Sequence, residues 1–242
     1  MIPLRDNVPS QNTPWMTWLL IAVNLFVFRY QSTLSQEPLM TFLYQHGFIP
    51  LQFSQMLTEG IHPRIFSLSA SVISSLFLHG SWLHLVSNMW SLWLFGDNVE
   101  DSVGPVRFLL FYLAGGITAA MVHFLFNPLS PLPVIGASGA IAAVMGAYLI
   151  MFPMARVVTL VPILFIPVFF QLPALLFIGF WFISQVFSGF ISLAIPSLEG
   201  GIAWWAHIGG FLFGVLFIPF IRKQKWQYRC FYEDGHYHCR YD

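Results

Sequence analysis

Long apolar stretches separated by short polar or Pro/Gly breaks set the pattern of this chain. A helix that crosses a hydrocarbon layer of roughly 30 Å needs about 20 predominantly apolar residues. Six stretches of that kind are predicted as spanning helices, at about residues 15 to 30, 82 to 96, 106 to 126, 138 to 152, 171 to 190 and 202 to 221. The one long connection, about residues 31 to 78, carries Glu37, Glu59, His62, Pro63 and Arg64 among apolar runs such as Met40 to Tyr44. Its length and apolarity predict a loop lying partly in the membrane interface. The segment Val157 to Phe170 is apolar too, but Pro162 and Pro167 interrupt it, so it reads as a turn and a lead-in to the fifth helix, with a seventh span as the other option. The expected fold is therefore all-α, a polytopic six-transmembrane-helix bundle over residues 15–222, with an N-terminal segment 1–14 and a tail 223–242.

Composition narrows the class. Of 242 residues only 10 are Lys or Arg and 10 Asp or Glu, so 8% are charged, against about 25% in a soluble domain. Hydrophobic residues make up 57% and aromatic residues 18%, which excludes a disordered chain and a single water-soluble core. The net charge of zero offers nothing to draw the chain to nucleic acid. The abundant Trp and Phe read as lipid-facing surface and interfacial anchors. Counting basic residues in alternate connections puts Arg5, Arg107, Arg156, Arg222, Lys223, Lys225, Arg229 and Arg240 on one side and only Arg29 and Arg64 on the other. By the positive-inside rule both termini are expected in the cytoplasm, with a bacterial inner membrane as the expected location. Residues 1–14 hold one arginine and no apolar core with a cleavage site, so no cleavable signal or transit peptide is expected. Cys230, His236, His238 and Cys239 lie in the tail. They are metal-capable residue types, but on a reducing side they read as a polar tail.

Polar side chains within spans are expensive and by default face the bundle interior or a wet cavity. The second span carries His84 and Asn88, the third His123, the sixth His207, and Gly136-Ala137-Ser138-Gly139 stands at the mouth of the fourth. With both termini inside, His84, Asn88, Ser138 and His207 all fall in the outer halves of their helices. His84 and Asn88 are one turn apart on a single face. The fourth helix, counted from Ser138 to Met154, is about 25 Å long and its N-terminus is expected below the membrane surface, where free backbone N–H groups favour a developing negative charge. Gly139, Ala143 and Gly146 on the fourth helix and Gly210 and Gly214 on the sixth are small residues at helical spacing that permit close backbone approach. If those faces meet, Ser138 and His207 come within reach as a nucleophile and base. His123 reads as structural or interfacial.

These motifs carry a family resemblance. Gly136 to Gly139 matches GxSG, Ala206 to Gly214 matches AHxxGxxxG, and His84 to Asn88 matches HxxxN. In this order and topology, over nearly the whole chain, the sequence resembles the rhomboids, a family of intramembrane serine proteases with six core helices. The resemblance implies that Ser138 is the nucleophile and His207 the general base, a dyad with no acidic third member, and that His84 and Asn88 help the Ser138 backbone N–H hold the oxyanion. It implies transmembrane protein substrates and no cofactor or metal. Phe77-Leu78-His79-Gly80 resembles the family's lead into the second helix, which makes His79 a structural neighbour. Two departures stand out: Ala142 occupies a position where some members carry a tyrosine stacked on the histidine, and the Trp-Arg pair that some carry in the long loop is missing. With no Asp or Glu in the outer half of any span, packing is expected to fix the His207 tautomer.

Three other readings compete. A non-catalytic rhomboid-like protein that binds membrane clients usually lacks the serine or histidine, and both are present. A small transporter would be expected to show intramembrane acids for coupling. A metal site from His62, His79, His84 and His207 lacks any HExxH-like spacing.

Overall fold

The computed structural model describes residues 2–59, 65–163, 166–194, 202–223, 228–233 and 236–241. His62, Arg64, Gly201 and Lys225, and the side chains of His236, His238 and Cys239, lie outside what it describes. A short strand β1 (Ile2–Arg5) leads to helix α1 (Trp15–Gln31), followed by the short helices α2 (Gln36–His46), α3 (Pro50–Glu59) and α4 (Ile65–Ser74). Helices α5 (Trp82–Val103), α6 (Pro105–Phe126) and α7 (Ser138–Met151) come next. A hairpin of β2 (Arg156–Ile163) and β3 (Ile166–Pro173), helices α8 (Ala174–Ala194) and α9 (Trp204–Ile221), and a second hairpin of β4 (Tyr228–Glu233) and β5 (His236–Tyr241) complete the chain.

Helix α7 is the axis of the core. It is apolar on every side, and 11 of its 14 residues are buried, as expected of a helix surrounded by others. α5, α6, α8 and α9 pack around it. The small-residue faces of α7 and α9 do meet. A Cβ on Gly210 would overlap the Gly139 carbonyl, one on Gly214 the Ala143 carbonyl, and one on Gly146 the Phe211 carbonyl. Only glycine permits that backbone contact. The outer surface is the reverse of a soluble protein's, with Phe26, Leu83, Leu125 and Phe220 largely exposed. The chain is a multi-pass membrane protein. Among the described residues, α6, α8 and α9 are long and apolar enough to cross a bilayer. α1 has 17 residues, α7 has 14, and α5 carries Asp97, Glu100 and Asp101 near its end.

Four expectations need correction. The fold is mostly helical but not all-α: Val157 to Phe170 forms neither a span nor a simple turn but most of β2 and β3, paired antiparallel, with β1 on the free edge of β2. The β-branched run Val157-Val158-Thr159 favours an extended chain, and Pro162 and Pro167 lie opposite each other, one position from the last described pair, Ile163 and Ile166, where few ladder bonds are lost. β3 runs to Pro173, so the fifth predicted helix starts at Ala174 instead of Gln171. The long connection is largely helical, with α2 to α4 covering most of it. In the tail, Cys230 pairs opposite Cys239 in the β4–β5 ladder and is disulfide-bonded, which removes its thiolate from metal binding.

The end of the bundle that holds the chain termini is tied together by polar contacts. The buried Glu100 carboxylate accepts from the N–H groups of Met16 (3.0 Å) and Thr17 (2.8 Å) and from the Thr17 hydroxyl (2.8 Å). It thus caps the N-terminus of α1 from a neighbouring helix. Asp101 accepts from the N–H groups of Gln11 and Asn12. Asp6 accepts a hydrogen bond from the Tyr148 hydroxyl, and burial raises its carboxyl to a pKa of about 6. Tyr241 docks the C-terminal hairpin by packing edge-on against Phe152 and accepting the Met154 N–H at 3.0 Å.

Candidate active site

At the opposite end, the loop before α7 is held by backbone bonds. Phe48 and Val134 exchange two, at 3.1 and 2.7 Å, and the Gly136 N–H donates to the Ser75 carbonyl at 2.9 Å. Gly136 has φ +122°, a conformation that favours glycine. A Cβ there would sit 2.7 Å from His84 Cε1 and Nε2. Two features of one residue, its φ and its missing side chain, therefore let the loop turn into α7 while the His84 ring lies against it.

Ser138 is the first residue of α7, and its first turn has no side-chain cap. His207 is in the first turn of α9. Because the glycine faces bring the two backbones together, Ser138 Oγ lies 2.8 Å from His207 Nε2. Both residues are partly exposed, which leaves the pair open to a reactant. Uncapped N–H groups at the helix start supply a positive end beside the serine oxygen.

The other two residues predicted from sequence are close by. His84 touches the Gly136 position, and a Cβ at Gly136 would also lie 3.7 Å from Ser138 Oγ. Asn88 is buried one turn further along α5, and its side-chain amide donates to His79 Nε2 at 3.0 Å. His79 is itself buried, with its ring 4.9 Å from that of His84. Gln31 of α1 clamps the His79 backbone, accepting its N–H at 3.2 Å and donating to its carbonyl at 3.1 Å. Ser81 caps α5 by accepting the His84 N–H at 3.1 Å. The structure thus brings Ser138, His207 and His84 together around Gly136, and joins Asn88 to them through His79. His123 lies in the last turn of α6, its Nδ1 buried with no hydrogen-bond partner. Among the described residues no three His, Cys, Asp or Glu side chains converge as metal ligands.

Sequence reasoning missed Gln185. It sits in α8 with its Oε1 2.8 Å from His207 Nδ1, so packing alone does not orient that ring. It is the only carboxamide in a helix otherwise made of apolar residues, glycines and serines, so the rule that flags polar groups within a span applies to it equally. Trp181, one turn earlier on the same face, places its ring 6.0 Å from the imidazole, and Trp204 adds an edge at 6.2 Å. Aromatic company for the histidine comes from α8 and α9, while Ala142 is fully buried in the core.

A family model described as Rhomboid domain matches residues 69–224. The chain is 30% identical over 164 residues to presenilin-associated rhomboid-like protein A, mitochondrial, of Danio rerio, covering 65% of this chain and 39% of the relative. It is 31% identical over 159 residues to rhomboid protein 1, mitochondrial, of Saccharomyces cerevisiae, covering 63% and 42%. Over 78 residues it is 45% identical to rhomboid protease GluP of Bacillus subtilis, covering 32% and 15%. The chain spans about two fifths of the length of the first two curated relatives. Their names place them in mitochondria, which lends no support to a bacterial inner membrane as the location.

Proposed function

The chain belongs to the rhomboid family, and we propose that it is an intramembrane serine endopeptidase that cleaves transmembrane segments of membrane proteins near the outer face. The observation that carries this reading is the 2.8 Å approach of Ser138 Oγ to His207 Nε2 at the uncapped start of α7. Neutral His207 takes the hydroxyl proton at Nε2 while Oγ attacks the scissile carbonyl carbon. The tetrahedral oxyanion is held by the Ser138 backbone N–H with His84 and Asn88. His207 then passes its proton to the leaving amine nitrogen, the C–N bond breaks, and an acyl-enzyme on Ser138 remains. A water molecule loses a proton to His207 as it attacks the ester, and the proton returns to Ser138 as the carboxyl product leaves. A substrate helix must unwind locally, because a hydrogen-bonded helical carbonyl is shielded from attack. In this reading α1, α5 and α7 join α6, α8 and α9 as six spans, with both termini on the side rich in Lys and Arg.

Ser138→Ala tests the proposal. The variant is expected to fold with unchanged thermal stability and to lose cleavage of a reporter transmembrane substrate in proteoliposomes by about 10⁴-fold or more. Undiminished cleavage would refute it.

A further inference from the structure

We infer that Gln185 is a positioning residue that fixes the tautomer and orientation of His207. The inference rests on the proposed reading of Ser138 and His207 as nucleophile and base. An imidazole 2.8 Å from a serine hydroxyl can act as its base only if the facing nitrogen lacks a proton. That choice is made at the other nitrogen. At Nδ1 the partner is the Gln185 side-chain oxygen, 2.8 Å away.

The amide's orientation is set by its own donors. Gln185 Nε2 donates to the Trp181 carbonyl at 3.2 Å and to Ser184 Oγ at 2.9 Å. A carbonyl can only accept, and the Ser184 hydroxyl already donates to that same carbonyl at 2.6 Å. Turning the amide over would aim its oxygen at the Trp181 carbonyl and leave a lone pair facing another. With Oε1 held toward His207, Nδ1 must carry the hydrogen, and Nε2 presents its lone pair to Ser138. Gln185 is only 6% exposed, so water does not compete strongly for either end. Trp181, at i−4 on α8, closes the same side of the ring at 6.0 Å. α8 thereby does by a neutral amide what an acidic residue does in a Ser-His-Asp triad.

Gln185→Met keeps the length and volume of the side chain and removes the acceptor. Its kcat on a reporter transmembrane substrate in proteoliposomes is expected to fall about 10- to 100-fold with KM within twofold. Ser138 should react with a fluorophosphonate probe more slowly by the same factor. Gln185→Glu, as the neutral carboxylic acid expected at so buried a position, offers Nδ1–H its carbonyl oxygen while its O–H replaces the amide as donor to the Trp181 carbonyl, and its kcat should return to within about threefold of wild type. Wild-type kcat in Gln185→Met overturns the inference, and so does equal loss in Met and Glu variants of unchanged thermal stability. If Gln185→Met does not fold, Gln185→Glu decides: near-wild-type kcat supports positioning, and a loss beyond tenfold in a folded protein contradicts it. Ser138→Ala, run alongside, separates the two ideas. Cleavage by that variant removes the underlying reading and this inference with it, whereas an inactive Ser138→Ala beside a fully active Gln185→Met removes the inference alone.

Discussion

The N-termini of α1 and α7 present the same chemistry and treat it in opposite ways. Both leave backbone N–H groups and a positive dipole end inside the protein. At α1 a buried carboxylate, Glu100, fills the position and accepts three hydrogen bonds. At α7 no side chain caps the turn, and the residue that stands there is Ser138, paired with His207. A satisfied helix start is a joint between elements. In the proposed reading an unsatisfied one, next to a hydroxyl and a base, is a place for an anion that exists only while a substrate reacts. The two ends also differ in the residues they use: carboxylates cluster at the end carrying Asp6, Glu100 and Asp101, and at the other end the described side chains around Ser138 are His, Asn and Gln.

The two ends should therefore fail differently when altered. Asn88→Ala removes a candidate oxyanion donor, and cleavage is expected to drop about 10²- to 10³-fold. Wild-type turnover in a steady-state assay would take Asn88 out of the site and leave its amide as a structural partner of His79. Glu100→Ala strands the N–H groups of Met16 and Thr17 and the Thr17 hydroxyl, costing about 2–4 kcal/mol of stability. In detergent that should appear as a lower thermal midpoint, with kcat within a few-fold of wild type at temperatures where the variant is folded. An unchanged midpoint would show that α1 does not depend on this cap, and the comparison would lose one of its halves.

Much of the site was legible because polar residues are so scarce here. Once the predicted spans are located, His84, Asn88, Ser138 and His207 are among the few polar groups expected at one depth, and the glycines on the fourth and sixth predicted helices give a reason for two of them to meet. Gln185 escaped because it belongs to none of the motifs and stands alone as a carboxamide in a largely apolar helix, although a buried carboxamide needs partners just as an imidazole does. His79 could be placed as a neighbour but not as the acceptor of the Asn88 amide, since that contact depends on how the chain turns at Gly80 before α5. Less of the fold could be read outside the long helices. Hydrophobicity marks Val157 to Phe170 as apolar but does not say whether its backbone pairs within a helix or across strands. Strand pairing settles it: β2 and β3 pair along their whole length, and β1, which lies far away in sequence, adds a third strand. The long connection looked like a loop because α2 to α4 are each only 10 or 11 residues long, too short to stand out as spans.

Covalent labelling tests the central claim most directly. After treatment of the protein in detergent with a fluorophosphonate probe, peptide mass mapping should find the adduct on Ser138. It should be lost in His207→Ala, because the hydroxyl is a nucleophile only with its base beside it. A wild-type protein that carries no adduct under conditions where it is folded, or an adduct that forms equally well without His207, would contradict the account.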